Sequence, residues 1–221
     1  MKEKGRIIMK EPITITSERY ERIFIHAVDG HFVTGNKHIN TYVGTSDIKH
    51  NHEISVDTAM LMASYYKERD IEVDTVLCLY ETQALGAYLA HEFARPTMMT
   101  PDPKSTVYVL GPEYDVMGNM IFRDNLKRMI ENKKVVLLIS CITSGKTIER
   151  AIESVNFYNG EVVGVSAVFS AIDKIVDISV NSIFTPNELP AYNIYDKNDC
   201  PLCKAGKPID AIANGYGYSK L

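Results

Sequence analysis

The run Lys134-Val135-Val136-Leu137-Leu138-Ile139 constrains this chain more than any other segment. It is continuously apolar after its first residue and does not alternate, which suits a parallel strand covered on both faces. A polar loop follows at 140–147, and then Ile148, Ala151, Ile152 and Val155 fall at i, i+3, i+4 and i+7. That spacing predicts a helix with one buried stripe. Asn159-Gly160 ends it with residues that tolerate a left-handed cap. Val162-Val163-Gly164-Val165 opens a second buried strand. Strand, loop, helix and strand in this order form a βαβ crossover, right-handed by strong precedent. The expected fold class is α/β, with a mainly parallel central sheet flanked by helices.

The rest of the chain is consistent with that core. The first fifty residues read as β-rich: Ile13–Thr16 alternates, as does part of Arg22–His26, and Gly30, Gly35-Asn36 and Gly44 punctuate them. A helix is expected at 52–69, a strand at 73–80, a helix at 82–94 and a strand at 106–110. The surroundings of that last strand, 96–122, are rich in Pro and Gly and suit a flap over a site. Shorter strands are expected at 178–184 and 192–195. The division that follows is one domain over 1–221: an N-terminal β-rich hood segment (1–50), an α/β core (51–185) and an irregular tail (186–221).

Composition limits the function. With 24 Lys and Arg against 28 Asp and Glu, the net charge is −4. A non-specific nucleic-acid binder needs a basic surface, so no nucleic-acid partner is expected. The start, MKEKGRIIMKEP, lacks the apolar region of a signal peptide, and no apolar run approaches the length of a membrane span. The expectation is a cytoplasmic protein without a membrane partner, its cysteines Cys78, Cys141, Cys200 and Cys203 reduced.

The chemistry centres on Thr143-Ser144-Gly145-Lys146-Thr147, where a buried strand turns into a helix. The first turn of a helix has unpaired N–H groups, and its dipole favours an anion. Gly145 allows close approach, Ser144 and Thr147 supply hydroxyls, and Lys146 supplies charge. A phosphate monoester is the natural guest. A P-loop nucleotidase would need a Gly where Ser140 stands. The plainer alternative is a capped helix start with nothing bound.

Leu137-Leu138-Ile139, Ile142 and Thr143–Thr147 resemble the signature of the type I phosphoribosyltransferases. Gly30-His31-Phe32-Val33-Thr34-Gly35-Asn36-Lys37-His38 through Tyr42 is similar to the N-terminal stretch of the orotate phosphoribosyltransferases. Asp199-Cys200-Pro201-Leu202-Cys203-Lys204-Ala205-Gly206-Lys207-Pro208 resembles the tail of one orotate subgroup. The resemblance implies the type I fold with a small β-rich hood, and a homodimer. It implies phosphate and PRPP (phosphoribosyl pyrophosphate) binding by Thr143, Ser144, Gly145, Lys146 and Thr147. Transfer of phosphoribosyl from PRPP to orotate, in pyrimidine nucleotide metabolism, would require Mg²⁺. His31, Phe32, Lys37 and His38 become base-binding candidates, beside the reading of 31–38 as a solvated hairpin.

The chain departs from that pattern where it matters chemically. The two acidic positions of the signature are Ser140 and Cys141, and Glu81 stands where a Gly-rich pyrophosphate loop is usual. Between 96 and 122 the only basic residue is Lys104, with Arg123 just beyond. Each missing electrostatic donor could cost about 3 kcal/mol of transition-state stabilisation. No catalytic residue can therefore be named. Two readings stand: an orotate phosphoribosyltransferase, or a catalytically impaired homologue that binds a nucleoside monophosphate or phosphoribosyl ligand as a sensor or regulator. Cys200 and Cys203 have the spacing of half a zinc site, but no second ligand pair is visible along the chain. No metal site is expected, and the pair reads as a turn.

Overall fold

A computed structural model describes residues 11–96 and 106–221. The N-terminal residues 1–10, and Lys104 with the Pro-rich stretch around it, lie outside the described residues. The N-terminal part contains β1 (Ile13–Thr16), β2 (Phe24–Thr34) and β3 (Lys37–Gly44), then α1 (Ser46–His50) and α2 (His52–Lys67). The core continues through β4 (Thr75–Cys78), α3 (Gln83–Ala94), β5 (Tyr108–Leu110), the small hairpin β6 (Glu113–Tyr114) and β7 (Met120–Ile121), and α4 (Asp124–Lys127). The crossover unit is β8 (Lys134–Ile142), α5 (Lys146–Phe157) and β9 (Glu161–Ser170), followed by β10 (Lys174–Ile175) and β11 (Ile178–Phe184). The chain ends with β12 (Ile194–Asp196), α6 (Pro201–Lys204), β13 (Ala211–Asn214) and β14 (Gly217–Lys220).

The core sheet has the order β10-β11-β9-β8-β4-β5. Its pairs from β11 to β5 are all parallel, and only the edge strand β10 is antiparallel. The mainly parallel sheet expected from the apolar run is therefore present. β8 is buried along nearly its whole length because both faces are covered. Leu138 packs with Met62 and Ala63 of α2 and Leu85 and Leu89 of α3. Leu137 and Ile139 pack with Ile148, Ala151, Ile152 and Val155 of α5. Burying each large aliphatic side chain in that stripe contributes roughly 1.5–3 kcal/mol. Asn159, just past α5, has φ 57° and takes the left-handed conformation its type allows.

β8 extends three residues further than its apolar run, so the polar loop expected at 140–147 shrinks to 143–145. Ser140 and Cys141 are strand residues held by pairing of Cys141 with Phe169 on β9.

The second sheet, β12-β3-β2-β13-β14 with β1 on β2, explains the first fifty residues. Residues 186–221, expected as an irregular tail, supply three of its strands: β12 pairs antiparallel with β3, and β13 pairs parallel with β2. These strands are only three or four residues long and follow turn-rich sequence, so periodicity along the chain does not reveal them. Within β2, Gly30 and His31 stand opposite Asn40 alone, a bulge that re-aims the residues following Asp29. The two sheets share one hydrophobic cluster, in which Ile25, Val28 and Phe32 meet Val76, Leu138 and Val168.

Candidate functional site

At the end of β8 the chain turns sharply into α5. Gly145 is the N-cap, with φ 79° and ψ −12°. This left-handed conformation favours glycine, and a Cβ there would also stand 3.0 Å from Ile172 Cδ1. The amides of Ser144, Gly145, Lys146 and Thr147 donate to no acceptor among the described residues. No side chain caps them either. A recess of about 40 Å³ is bounded by residues between Ile139 and Ile148. These amides and the α5 dipole together offer the electropositive edge an anion needs.

Above this turn lies a cavity of about 360 Å³. Thr143, Ser144, Lys146 and Thr147 line one wall, and the β2–β3 turn lines another with Gly35 and Lys37. The four base-binding candidates do not stay together. Lys37 lines the cavity, whereas His31, Phe32 and His38 are buried within the second sheet and are not part of its lining. His31 and His38 turn instead toward the tail, where Cys200 and Cys203 lie. Burial, and then the neighbouring His31, hold His38 below the usual imidazole range.

Among the residues that sequence reasoning missed, three line the cavity and a fourth holds its wall. Arg150 lines the same cavity one helical turn beyond Lys146, so two cations share one face of α5. The i, i+4 spacing was the available signal. Tyr80 also lines the cavity, and its hydroxyl is 3.3 Å from Thr147 Oγ1. It is thrown there by an unusual loop: Tyr80 and Glu81 both have positive φ, 53° and 60°. Holding a non-glycine residue in that region costs on the order of 1–3 kcal/mol, and such strain clusters at functional sites. Glu81 points to solvent.

The third is Gly215, in the β13–β14 turn, which reaches the cavity from the C-terminal side. The fourth is Lys49, at the end of α1 and only 2% exposed. Its Nζ donates to the Gly215 carbonyl at 3.2 Å, and Ser140 Oγ donates to the same oxygen at 3.4 Å. Ser140 thus binds the C-terminal turn. Beside it, Cys141 Sγ donates to the Val43 carbonyl at 3.7 Å. Burial pushes the Cys141 thiol up to about 12, so it is neutral. A Mg²⁺ ion wants anionic oxygens. At 140–141 it would meet a donating hydroxyl, a neutral thiol and a buried ammonium nearby. These residues do not fit a hard dication at that position.

No family model matches the chain. It is 26% identical over 186 residues to an orotate phosphoribosyltransferase of Caldicellulosiruptor saccharolyticus, covering 82% of this chain and 87% of that protein. The orotate phosphoribosyltransferase of Wolinella succinogenes is 25% identical over 207 residues, covering 85% and 92%. Among solved structures, the orotate phosphoribosyltransferase of Mycobacterium tuberculosis H37Rv in complex with inorganic phosphate superposes with a TM-score of 0.51 at 16% identity. The match covers 68% of this chain and 81% of that one. The same enzyme in complex with PRPP gives 0.50, over 67% and 82%. No helix among the described residues is long and apolar enough to cross a membrane. Sequence kinship over more than four fifths of the chain, with the backbone likeness, makes this chain a relative of the orotate phosphoribosyltransferases, built on the type I phosphoribosyltransferase fold.

Proposed function

We propose that this protein binds a phosphoribosyl compound of the nucleoside 5′-monophosphate class and has lost the transfer chemistry of its relatives. The observation that carries this reading is the set of four amides at 144–147 that have no acceptor among the described residues, in residues that bound a small recess next to a cavity lined by Lys146 and Arg150. The phosphate would sit on those amides, with Thr147 Oγ1 as a further donor. Lys37 and Tyr42 of the β2–β3 hairpin stand across the cavity, where a base would lie. The relative from M. tuberculosis is known with phosphate and with PRPP, which supports the choice of ligand class.

Loss of transfer follows from the opposite end of the turn. Displacing pyrophosphate requires the developing charge to be neutralised. At 140–141 this chain has no carboxylate, and the segment after β4 presents Tyr80 and an acid rather than a glycine cradle. Titration calorimetry tests the reading. Pyrimidine nucleoside monophosphates should bind with the same affinity with and without Mg²⁺. A Mg²⁺-dependent preference for PRPP would refute it.

A second reading, transfer of phosphoribosyl from PRPP to orotate, is favoured by the names of the relatives matched over nearly their full lengths. A coupled assay with orotate, PRPP and Mg²⁺ separates the two, and only this second reading predicts product above background.

A further inference from the structure

Four potential metal ligands converge away from the cavity. His31 lies on β2, His38 on β3, and Cys200 and Cys203 flank the start of α6. One ligand atom from each lies within 4.8 Å of all the others. His31, His38 and Cys200 are buried, and Cys203 closes the group at the surface.

The geometry points to a structural Zn²⁺ site of the Cys₂His₂ type. Zn²⁺ sits about 2.3 Å from sulfur and about 2.0 Å from nitrogen, so at tetrahedral angles its ligands stand about 3.5 Å apart for S···N and about 3.3 Å for N···N. Here Cys200 Sγ and Cys203 Sγ are each 3.6 Å from His31 Nε2, and Cys203 Sγ is 3.3 Å from His38 Nδ1. The two imidazole nitrogens are 2.9 Å apart. Each distance is close to an edge of the tetrahedron, and a small expansion of the N···N edge admits the ion.

Hydrogen-bond accounting favours the same conclusion. His31 Nδ1 faces the carbonyls of Lys207 and Pro208 at 3.0 and 3.1 Å. Both are acceptors, so Nδ1 carries the proton and Nε2 presents one bare lone pair. His38 Nδ1, Cys200 Sγ and Cys203 Sγ all converge on that lone pair. One lone pair cannot serve three donors, whereas a cation at the centre engages all four groups. The carbonyls behind His31 are the kind of support that fixes the tautomer of a ligating histidine. On binding, the two thiols release their protons to solvent and the histidines remain neutral.

The site would join the hood hairpin to the tail. Its ligands bracket β2 and β3 on one side and the segment leading to β13 on the other. The inference does not depend on the proposed ligand of the cavity.

The full-length chain, purified and equilibrated with Zn²⁺ before gel filtration, should retain about one Zn²⁺ per chain by elemental analysis. Co²⁺ in place of Zn²⁺ should give the visible bands of a tetrahedral ion together with thiolate-to-cobalt charge transfer. Cys203→Ser, a substitution at the exposed position, should weaken Zn²⁺ binding by on the order of a hundred-fold and reduce the charge-transfer band. Absence of stoichiometric metal in the folded wild-type chain would overturn the proposal. So would a Cys200–Cys203 disulfide persisting under reducing conditions, or a Co²⁺ spectrum unchanged by Cys203→Ser. The wild-type measurement decides even if the variant misfolds.

Discussion

Gly215→Ala tests whether the C-terminal turn is locked onto the strained loop after β4. A Cβ at Gly215 would lie 2.7 Å from Tyr80 Cβ, and closer still to Cγ and Cδ2. Cγ and Cδ2 move when the ring changes rotamer, but Cβ is fixed by the backbone, so a rotamer change cannot clear the 2.7 Å contact. Tyr80 is also held by its hydroxyl contact with Thr147 and by an edge-on contact with Tyr216, ring centroids 5.4 Å apart. The turn must therefore lift by about 1 Å to restore van der Waals contact. Lifting breaks the bonds from Lys49 and Ser140 to the Gly215 carbonyl. Overpacking costs about 1–3 kcal/mol and a lost bond to a charged donor about 1.5–3 kcal/mol. Because one movement produces both, roughly 2–4 kcal/mol in all is expected. Urea unfolding should show a lower midpoint at unchanged slope. The decisive measurement is a double-mutant cycle with Tyr80→Gly, which removes all three of these atoms. Gly215→Ala should cost at least about 1 kcal/mol less in that background. A coupling below about 0.5 kcal/mol would refute the account.

Three further outcomes follow from single contacts. Lys146→Ala and Arg150→Ala should each weaken nucleoside monophosphate binding by about 10- to 100-fold in calorimetry, with unchanged circular dichroism, since both side chains are exposed. Tyr66→Phe should cost about 1–2 kcal/mol in urea unfolding, because the buried Tyr66 hydroxyl bonds Ser166 Oγ at 2.8 Å and its removal leaves that group short of a partner. Burial alone would raise the Glu92 carboxyl, but hydrogen bonds from Arg95 and Lys67 outweigh it and hold the group below its ordinary 4.5. Its contribution, roughly 1 kcal/mol, is therefore fully present above about pH 4.5 and lost as pH falls through the lower folded-state value. The stability gap between wild type and Glu92→Gln should close over that window.

The core was legible because its pattern is local. The stripe Ile148, Ala151, Ile152 and Val155 and the run before it specify their burial without reference to the rest of the chain. The turn from β8 into α5 was legible for the same reason. What escaped depends on contacts between distant segments. His31 and Cys203 are 172 positions apart, and a bulge at Gly30 aims one at the other. No spacing rule expresses that. Lys49 and Gly215, 166 positions apart, are similarly unremarkable in sequence, and only a buried ammonium with a carbonyl acceptor gives them a role. The tail read as irregular because its strands gain their partners from β2 and β3 rather than from one another alone.

The departures at 140 and 141 form a set with Lys49 and the tail. Were Ser140 an acid, its oxygens would face the Gly215 carbonyl, and two acceptors would repel where one donor now bonds. Lys49 would turn from the carbonyl to the carboxylate, and the turn that closes the cavity would lose both of its anchors. The neutral pair, the buried lysine and the seated turn are thus mutually dependent. The double substitution Ser140→Asp, Cys141→Asp should consequently leave transfer from PRPP to orotate at background in the coupled assay. It should also release the C-terminal turn, read as faster amide exchange at 214–217. Mg²⁺-dependent product formation by that variant would show that the absence of carboxylates at 140 and 141 is by itself what prevents transfer, and that Ser140, Cys141, Lys49 and the C-terminal turn are not interdependent.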